Sequence, residues 1–193
     1  MILDAVLVAG GTSQRMGADK ALLVVDGERL VDLVERRLRP LGGLVVVARG
    51  DRPLGCRTEV ADVPGGDGPL GGIVAGLQAC TREFVAVAAV DQPDPDIALF
   101  RLLAERCAAD PGLAGVVPEV DGRLQPFHAV LRRNQAGPLL RAFVRGQRKV
   151  TDALAELGCE VVGADVWSAT SPDAAFARDW DRPEDVDPDR VTS

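Results

Sequence analysis

The sequence predicts an α/β protein in which a mostly parallel central sheet lies between two layers of helices. Along the 193-residue chain, short apolar runs alternate with amphipathic stretches, as in chains built from strand–helix–strand units. The runs at 5–9 and 84–90 are apolar throughout, which is typical of strands covered by helices on both faces. We therefore expect a three-layer α/β/α arrangement.

Six runs are predicted as strands, at 5–9, 44–48, 84–90, 113–117, 129–131 and 159–162. Helices are predicted where apolar residues recur at intervals of three and four. These repeats are Leu30, Leu33, Val34, Leu38 and Leu41; Ile97, Phe100, Leu103 and Cys107; and Leu139, Leu140, Phe143 and Val144. The sequence shows no linker or internal repeat, so we expect one domain over 1–187 and a frayed tail over 188–193.

Composition argues against several classes of function. The net charge of −7 disfavours nucleic acid or an anionic membrane surface as a partner. No apolar run reaches the length of a membrane span, and Asp4 interrupts an N-terminal run that lacks a basic start, so we expect a cytoplasmic protein. The four cysteines are scattered without a CxxC pair and there is one histidine, which disfavours a zinc site or a Cys–His nucleophile pair.

The end of the first predicted strand has the features of a phosphate-binding loop. Gly10 and Gly11 follow the apolar run, and the cations Arg15 and Lys20 stand five residues apart. Glycine lets the backbone approach phosphate oxygens, successive N–H groups can form an anion nest, and arginine binds phosphate in a bidentate manner. A tight turn with solvated cations is the alternative. The fingerprints GxxxxGK(S/T) and GxGxxG are both absent, so neither an ATPase nor a dinucleotide-binding interpretation follows.

The segment LVAGGTSQRMGADKALL, residues 7–23, resembles the signature loop of the MobA-type nucleotidyltransferases, whose pattern is approximately LAGGxSxRMGxDKxLL. The chain departs from that pattern at Val8. The resemblance implies a Rossmann-like nucleotidyltransferase fold over 1–187. It also implies transfer of GMP from GTP to the terminal phosphate of molybdopterin, with release of pyrophosphate.

A second glycine-rich segment runs from Asp62 into a predicted helix that starts at Pro69. An ordinary surface loop would explain it, but glycine inside a helix costs stability. Gly71 and Gly72 therefore suggest that a group, such as a base or ribose, approaches the backbone closely. The family has the same GPLxG element and an upstream aspartate that contacts the nucleotide. Asp62 is the matching position, although Asp67 is nearer.

Asp91 closes the predicted strand 84–90. The carboxyl ends of parallel strands are where α/β sheets bind ligands, and Mg²⁺ usually takes one or two protein carboxylates plus phosphates and water. A turn or helix-capping role before Pro93 is the alternative. The segment resembles the family's DxP element, whose aspartate binds magnesium, and this favours Asp91 as the metal ligand.

Three later segments are candidates for the second substrate or the metal. The stretch Gln125 to Leu131, which includes His128, resembles a family strand near the second substrate, although His128 by itself is expected to be a polar side chain on a half-buried strand. Arg148 lies in a basic cluster that could bind an acidic substrate or simply end a helix. Asp179 and Asp181 belong to a segment that resembles the family's DxDTPEDL ending, with Arg182 in place of Thr, and Asp181 could equally be a helix N-cap.

The resemblance assigns roles to these residues. Arg15, Lys20 and Asp91 are the expected catalytic residues, and Asp91 binds Mg²⁺, with Mn²⁺ as the alternative. The expected nucleotide contacts are Val8, Ala9, Gly10, Gly11, Ser13, Lys20, Asp62, Gly68, Leu70 and Gly71. Gly10 favours guanine, because LAGG loops accompany guanine and LAAG loops accompany cytosine, whereas Ala48 stands where some relatives have Asn.

The expected partners are GTP and molybdopterin, with transient contacts to cofactor-delivery or molybdoenzyme proteins, and the chain is expected to be a monomer or weak oligomer. Two other functions remain open. One is the same chemistry with CTP or with a sugar or small-acid phosphate as the acceptor. The other is a non-catalytic nucleotide-binding module, which would not require the carboxylate of Asp91.

Overall fold

A computed structural model of the chain describes residues 1–10, 19–25, 27–65 and 68–180. The strands, in chain order, are β1 (Leu3–Val8), β2 (Val24–Val25), β3 (Glu28–Arg29), β4 (Gly42–Ala48), β5 (Glu59–Val60), β6 (Phe84–Ala89), β7 (Gly115–Val120), β8 (Arg123–Leu124), β9 (Val130–Arg132) and β10 (Glu160–Val162). The helices are α1 (Leu30–Leu38), α2 (Pro69–Ala79), α3 (Ile97–Ala109), α4 (Ala136–Val144), α5 (Val150–Leu157) and α6 (Ala164–Trp167). Short 3₁₀ turns include Lys20–Leu22, Pro126–His128 and Ala175–Ala177.

The central sheet has the order β10-β7-β9-β6-β1-β4-β5, and β8 pairs with β7 at its side. Strand β1 is parallel to both β4 and β6, β4 is parallel to β5, and β7 is parallel to β10. Strand β9 runs antiparallel to both β6 and β7. The mostly parallel sheet predicted from the sequence is therefore confirmed.

Helices cover both faces of this sheet, as predicted. Successive residues of β1 point to opposite faces, so Leu3, Ala5 and Leu7 join one buried cluster with α1 and α3, whereas Val6 and Val8 join a second cluster with α2, α4 and α5. All six residues of β1 are buried. Within the described part of the chain, no helix has the length and apolar content needed to cross a membrane.

The six predicted strands are all present, with boundaries displaced by up to three residues. One expectation was wrong in detail: the segment from Gln125 is not strand throughout, because Pro126–His128 forms a 3₁₀ turn and β9 begins only at Val130. The two-residue strands and the four-residue helix α6 were missed, since such short elements offer too few residues for a period to be recognised. Helix α5 was also missed, although Val150, Ala153, Leu154 and Leu157 recur at helical spacing. The predicted tail 188–193 lies outside the described residues.

The carboxylate of Asp4 is fully buried in β1, at the amino ends of the central strands. Its Oδ1 accepts from the Leu44 N–H at 2.8 Å, and its Oδ2 accepts from the N–H groups of Thr81 and Arg82 at 2.6 and 2.8 Å. A Cβ at Gly43 would collide with this carboxylate and the adjacent backbone. Burial opposes the charged form, but these backbone donors and the Thr81 hydroxyl outweigh it and lower the pKa of Asp4.

We predict that Asp4→Ala lowers the free energy of unfolding by at least about 3 kcal/mol, because three backbone N–H groups would lose their hydrogen bonds to a buried carboxylate. Urea denaturation at pH 7 measures this loss. Asp121→Asn is the matched control, since Asp121 is exposed in a turn with a positive φ of 50° that asparagine also tolerates. An Asp4→Ala midpoint equal to that of the control would contradict the prediction.

Candidate functional site

A cleft of about 270 Å³ opens at the carboxyl ends of β1 and β6. It is lined by Val8, Ala9, Gly10, Lys20, Ala21, Pro69, Ala89, Val90, Asp91 and Phe127. The cleft brings together Gly10 and Lys20, from the predicted phosphate-binding loop, and Asp91, from the end of a separate predicted strand. Phe127, Ala21 and Pro69 were not selected as site residues, since an apolar wall has no motif of its own.

Parallel pairing explains why these segments meet. Because β1 and β6 run in the same direction and in register from Asp4 and Val85 to Val8 and Ala89, the chain leaves both strands at the same sheet edge. The Val90 N–H donates to the Val8 carbonyl at 3.0 Å and extends this pairing past the last strand residue. Gly10 and Asp91 are thereby placed on neighbouring strand ends.

Lys20 contributes the cation of the described part of the cleft. Its side chain is largely buried, with 7% of the residue exposed. It begins a 3₁₀ turn that Asp19 caps, since Asp19 Oδ1 accepts from the Ala21 N–H at 3.2 Å. The other carboxylate oxygen of Asp19 forms an ion pair with Arg52. The expected loop residues Gly11, Ser13 and Arg15 lie outside the described residues.

The Gly10 backbone does not serve the cleft as an anion-binding donor. The N–H groups of Ala9 and Gly10 both donate to the Ala48 carbonyl, at 2.8 and 3.0 Å. The expected nest of N–H donors stays a prediction for the loop that follows Gly10, which lies outside the described residues. Glycine is required here for a different reason, because a Cβ on Gly10 would lie 2.8 Å from the Gly50 nitrogen and 3.2 Å from Asp62 Oδ2.

Asp62 lies against the wall of the cleft formed by Gly10. Its Oδ1 accepts from the Gly50 N–H at 3.0 Å, and Cβ atoms at Gly10 and Gly72 would each come within 3.2 Å of its carboxylate. Burial raises the pKa of Asp62, although the Gly50 N–H and the charge of Arg49 act in the opposite direction. The half-buried carboxylate is thus packed among glycine backbones.

The glycine-rich start of α2 approaches other protein groups closely. A Cβ at Gly71 would lie 3.3 Å from the Phe143 ring, and one at Gly72 would lie 3.1 Å from the Ala48 Cβ. The close approach predicted at these glycines is present, but protein side chains make it. The Leu70 side chain is buried in the core, so only its backbone remains available to a ligand. Pro69 is the first residue of α2 and lines the cleft, which places the positive end of the helix dipole there.

The Arg148 guanidinium is engaged by backbone carbonyls. Its Nη1 donates to Phe143 and Gln147 at 2.7 and 2.8 Å, and its Nη2 donates to Gly65 at 3.0 Å. It also stacks over the Phe143 ring, with 4.1 Å to the centroid. In the described residues, Arg148 therefore ties α4 to the loop that ends at Gly68, which has a φ of 104°.

Two of the remaining candidates, Asp179 and His128, contact Gln92, which follows the end of β6. Gln92 Nε2 donates to Asp179 Oδ1 at 2.8 Å, and Gln92 Oε1 lies 3.3 Å from His128 Nδ1. The expectation that His128 sits on a half-buried strand was wrong, since the side chain is fully buried in a 3₁₀ turn. Gln125 Nε2 donates to the Arg123 carbonyl at 3.2 Å, on an exposed turn. Asp181 lies outside the described residues.

Comparison with solved structures defines the class of protein. The fold matches molybdopterin-guanine dinucleotide biosynthesis protein A from Archaeoglobus fulgidus with a TM-score of 0.81, at 22% identity and over 95% of each chain. It also matches 2-C-methyl-D-erythritol 4-phosphate cytidylyltransferase from Thermus thermophilus with a TM-score of 0.66, at 18% identity and over 96% of each chain. The fold is that of the Rossmann-like nucleotidyltransferases.

Sequence comparison then gives the family. The family model of the MobA-like NTP transferase domain matches residues 5–161. A "Probable molybdenum cofactor guanylyltransferase" of Chloroflexus aggregans is 34% identical over 96% of this chain and 92% of its own length. The molybdenum cofactor guanylyltransferase of Pseudomonas putida KT2440 is 34% identical over 77% of this chain and 80% of its own length. The chain belongs to the MobA-like NTP transferase family and is a nucleotidyltransferase.

We predict a stability change with pH that arises from His128. Burial lowers the pKa of His128 from 6.5 to about 3, so below pH 6.5 the unfolded chain binds a proton that the folded protein does not. Stability is therefore complete above pH 6.5 and falls as the pH drops toward 3, by up to about 1.4 kcal/mol per pH unit.

Urea denaturation of the native protein and of His128→Phe at pH 7 and pH 5 tests this expectation. Because His128 is the only histidine, the native protein should lose about 2 kcal/mol more than the variant over this interval. Equal losses would contradict neutral burial of the imidazole.

Proposed function

We propose that this protein transfers GMP from GTP to the terminal phosphate of molybdopterin and releases pyrophosphate. The observation that carries the proposal is that Gly10, Lys20 and Asp91 line one cleft at the ends of β1 and β6. The curated relatives support the substrate pair, because their names describe molybdenum cofactor guanylyltransferases.

The proposed reaction is the attack of a phosphate oxygen on the α-phosphorus of GTP. The bond from that phosphorus to the bridging oxygen breaks, and pyrophosphate leaves with the electron pair. A phosphate nucleophile is already anionic at neutral pH, so the reaction requires no general base. Catalysis then depends on holding the two phosphates in line and on neutralising the charge that develops.

Lys20 is suited to the triphosphate because its ammonium group is a compact charge at a largely buried site. Local placement matters in a chain with a net charge of −7, whose overall field repels a nucleotide. Arg15 is proposed as a second phosphate ligand from the preceding loop. Pro69, at the positive end of α2, adds a favourable dipole to the same wall.

Asp91 is proposed to hold Mg²⁺, and the donor set of this wall fits that ion. The Asp91 side chain offers hard carboxylate oxygens beside the cationic Lys20, and one protein carboxylate together with substrate phosphates and water is a common Mg²⁺ environment. Mg²⁺ bound there would neutralise charge on the phosphates and on the leaving pyrophosphate. Mn²⁺ has similar ligand preferences.

The wall beside Gly10 is proposed to select guanine. Gly10 lets the Gly50 backbone and the Asp62 carboxylate lie directly against the strand end. A methyl group at position 10 would push both away from the positions they occupy here. We also propose nucleotide contacts at Asp62, Gly68 and the backbone of Leu70 and Gly71, because these residues lie close to the N-terminus of α2, which lines the cleft.

We predict that Lys20→Ala and Asp91→Ala each lower kcat by at least about 100-fold, since each removes charge stabilisation that operates in the transition state. Pyrophosphate release from GTP with Mg²⁺ and molybdopterin measures the rate. Arg106→Ala is the control, because Arg106 is an exposed cation on α3 that pairs with Glu160 and does not line the cleft. Near-native turnover of a folded Asp91→Ala protein would refute the metal assignment.

Nucleotide choice is expected to favour GTP. Thermal unfolding with Mg²⁺ and each of GTP, CTP, ATP and UTP should show the largest stabilisation with GTP, since a ligand that binds the folded state raises the unfolding temperature. A larger effect of CTP would indicate a cytidylyltransferase. Stabilisation by GTP without pyrophosphate release, when molybdopterin is present, would indicate a nucleotide-binding module.

A further inference from the structure

His128 is a fully buried polar residue that the proposed chemistry does not use. Its ring stacks on Phe100 with centroids 5.1 Å apart and planes 6° apart, and it packs on Phe176 at 4.9 Å. Within the described part of the chain, its Nε2 atom is buried and has no hydrogen-bond partner. A phenylalanine at this position would keep the aromatic stack and would avoid the unpaired Nε2. What histidine provides and phenylalanine lacks is therefore the hydrogen-bonding capacity of its other ring nitrogen, Nδ1.

That nitrogen, Nδ1, faces Gln92, whose amide has a defined orientation. Gln92 Nε2 donates to Asp179 Oδ1 at 2.8 Å, and a carboxylate accepts hydrogen bonds but donates none. The Gln92 Oε1 atom therefore faces His128 Nδ1 at 3.3 Å, so that Nδ1 must carry the hydrogen. The neutral imidazole is thus a donor that keeps the Gln92 amide turned toward Asp179.

The segment that carries Asp179 is held in place both before and after the hydrogen bond between Gln92 and Asp179. Trp180 donates its N–H to the Asp91 carbonyl at 2.8 Å, and Phe176 packs on the His128 ring. Gln92 is only 5% exposed, whereas Asp179 is exposed apart from its bond to Gln92. Gln92 therefore fixes a carboxylate that would otherwise move freely in solvent.

We propose that His128 is a positioning residue, which acts through Gln92 to hold Asp179 beside Asp91 at the edge of the cleft. This inference rests on the proposed function, because it gives Asp179 a role next to the metal-binding carboxylate. His128 itself does not touch the substrate and transfers no proton. The three residues Asp179, Gln92 and His128, linked by hydrogen bonds, form the positioning chain.

A pair of substitutions at His128 separates the hydrogen bond from the packing. Asparagine places an amide near Nδ1 and can keep the donor while losing the ring, whereas phenylalanine keeps the ring and loses the donor. Gln92→Leu breaks the chain at its centre without changing the aromatic stack. Asp173→Asn is a matched control, because Asp173 is exposed, lies in the same C-terminal region and pairs with Arg178 rather than with Gln92.

The order of the segment can be read from Trp180, which is buried at 8% exposure and follows Asp179. In a Trp167→Phe background, Trp180 is the only tryptophan, and acrylamide quenching of its fluorescence reports its exposure. We expect at least about a twofold rise in quenching for His128→Phe and Gln92→Leu. Mg²⁺-dependent binding of GTP, measured by calorimetry, should weaken about tenfold in both, as is typical when a residue that orients a metal ligand is lost.

His128→Asn and Asp173→Asn should stay near the native values of quenching and binding. Native values in His128→Phe would overturn the proposal, because the Nδ1 donor would then be unnecessary. Equal losses in His128→Asn and His128→Phe would overturn it too, because keeping the donor would then preserve nothing. Unchanged Trp180 quenching in Gln92→Leu would overturn it as well, as would increased quenching with native affinity for Mg²⁺ and GTP.

Failure of the proposed function gives a different result. In that case the native protein would release no pyrophosphate from GTP and molybdopterin, while the quenching pattern of the variants would still show whether the positioning chain orders the segment. A native protein that turns over, with variants that show no quenching change, would refute the positioning chain alone.

Discussion

The buried carboxylate of Asp4 is the interaction on which the arrangement of the central strands depends. It binds Leu44 at the start of β4 and the Thr81–Arg82 turn that leads into β6, so one side chain in β1 fixes the amino ends of both its neighbours. The pairing is parallel on both sides, and an error at the amino ends would therefore be carried to the opposite edge of the sheet. The cleft lies at that opposite edge. The positions of Gly10 and Asp91 relative to one another along the two strands therefore depend on a carboxylate that does not line the cleft.

Charged side chains have different environments at the two edges of the sheet. At the amino edge, backbone donors surround the Asp4 carboxylate and lower its pKa. The hydrogen bonds of this carboxylate hold neighbouring strands together. At the carboxyl edge, Lys20 and Asp91 line an open cleft, and burial among glycines raises the pKa of Asp62. A protein with an excess of acids can bind a triphosphate only if such cations are concentrated locally. The fold places the largely buried Lys20 in the lining of the cleft, together with Gly10 at the end of β1.

Much of this fold follows from the sequence, because the two-sided burial of β1 and β6 leaves near-continuous apolar runs that a parallel sheet requires. Asp91 could be placed at the site for the same reason, since it ends such a run. The contacts made across the sheet were not predictable. The reason for glycine at position 10 is the backbone of Gly50, forty residues away, and Arg148 turned from a candidate substrate ligand into a clamp on Gly65 and Phe143. Such partners have no periodicity or fixed spacing in the chain.

His128 shows why a lone polar residue in an apolar strand pattern is hard to interpret. From the sequence, its neighbours Phe127 and Ala129 make it a half-buried position, yet the 3₁₀ turn rotates its ring into the core between Phe100 and Phe176. Complete burial keeps the imidazole neutral, and neutrality is what allows one nitrogen to donate to Gln92 without a buried positive charge. A protonated ring would carry a second N–H with no acceptor among the described residues, at the site of the unpaired Nε2. The same burial that makes His128 unsuitable as an acid or base therefore keeps it a neutral donor to Gln92.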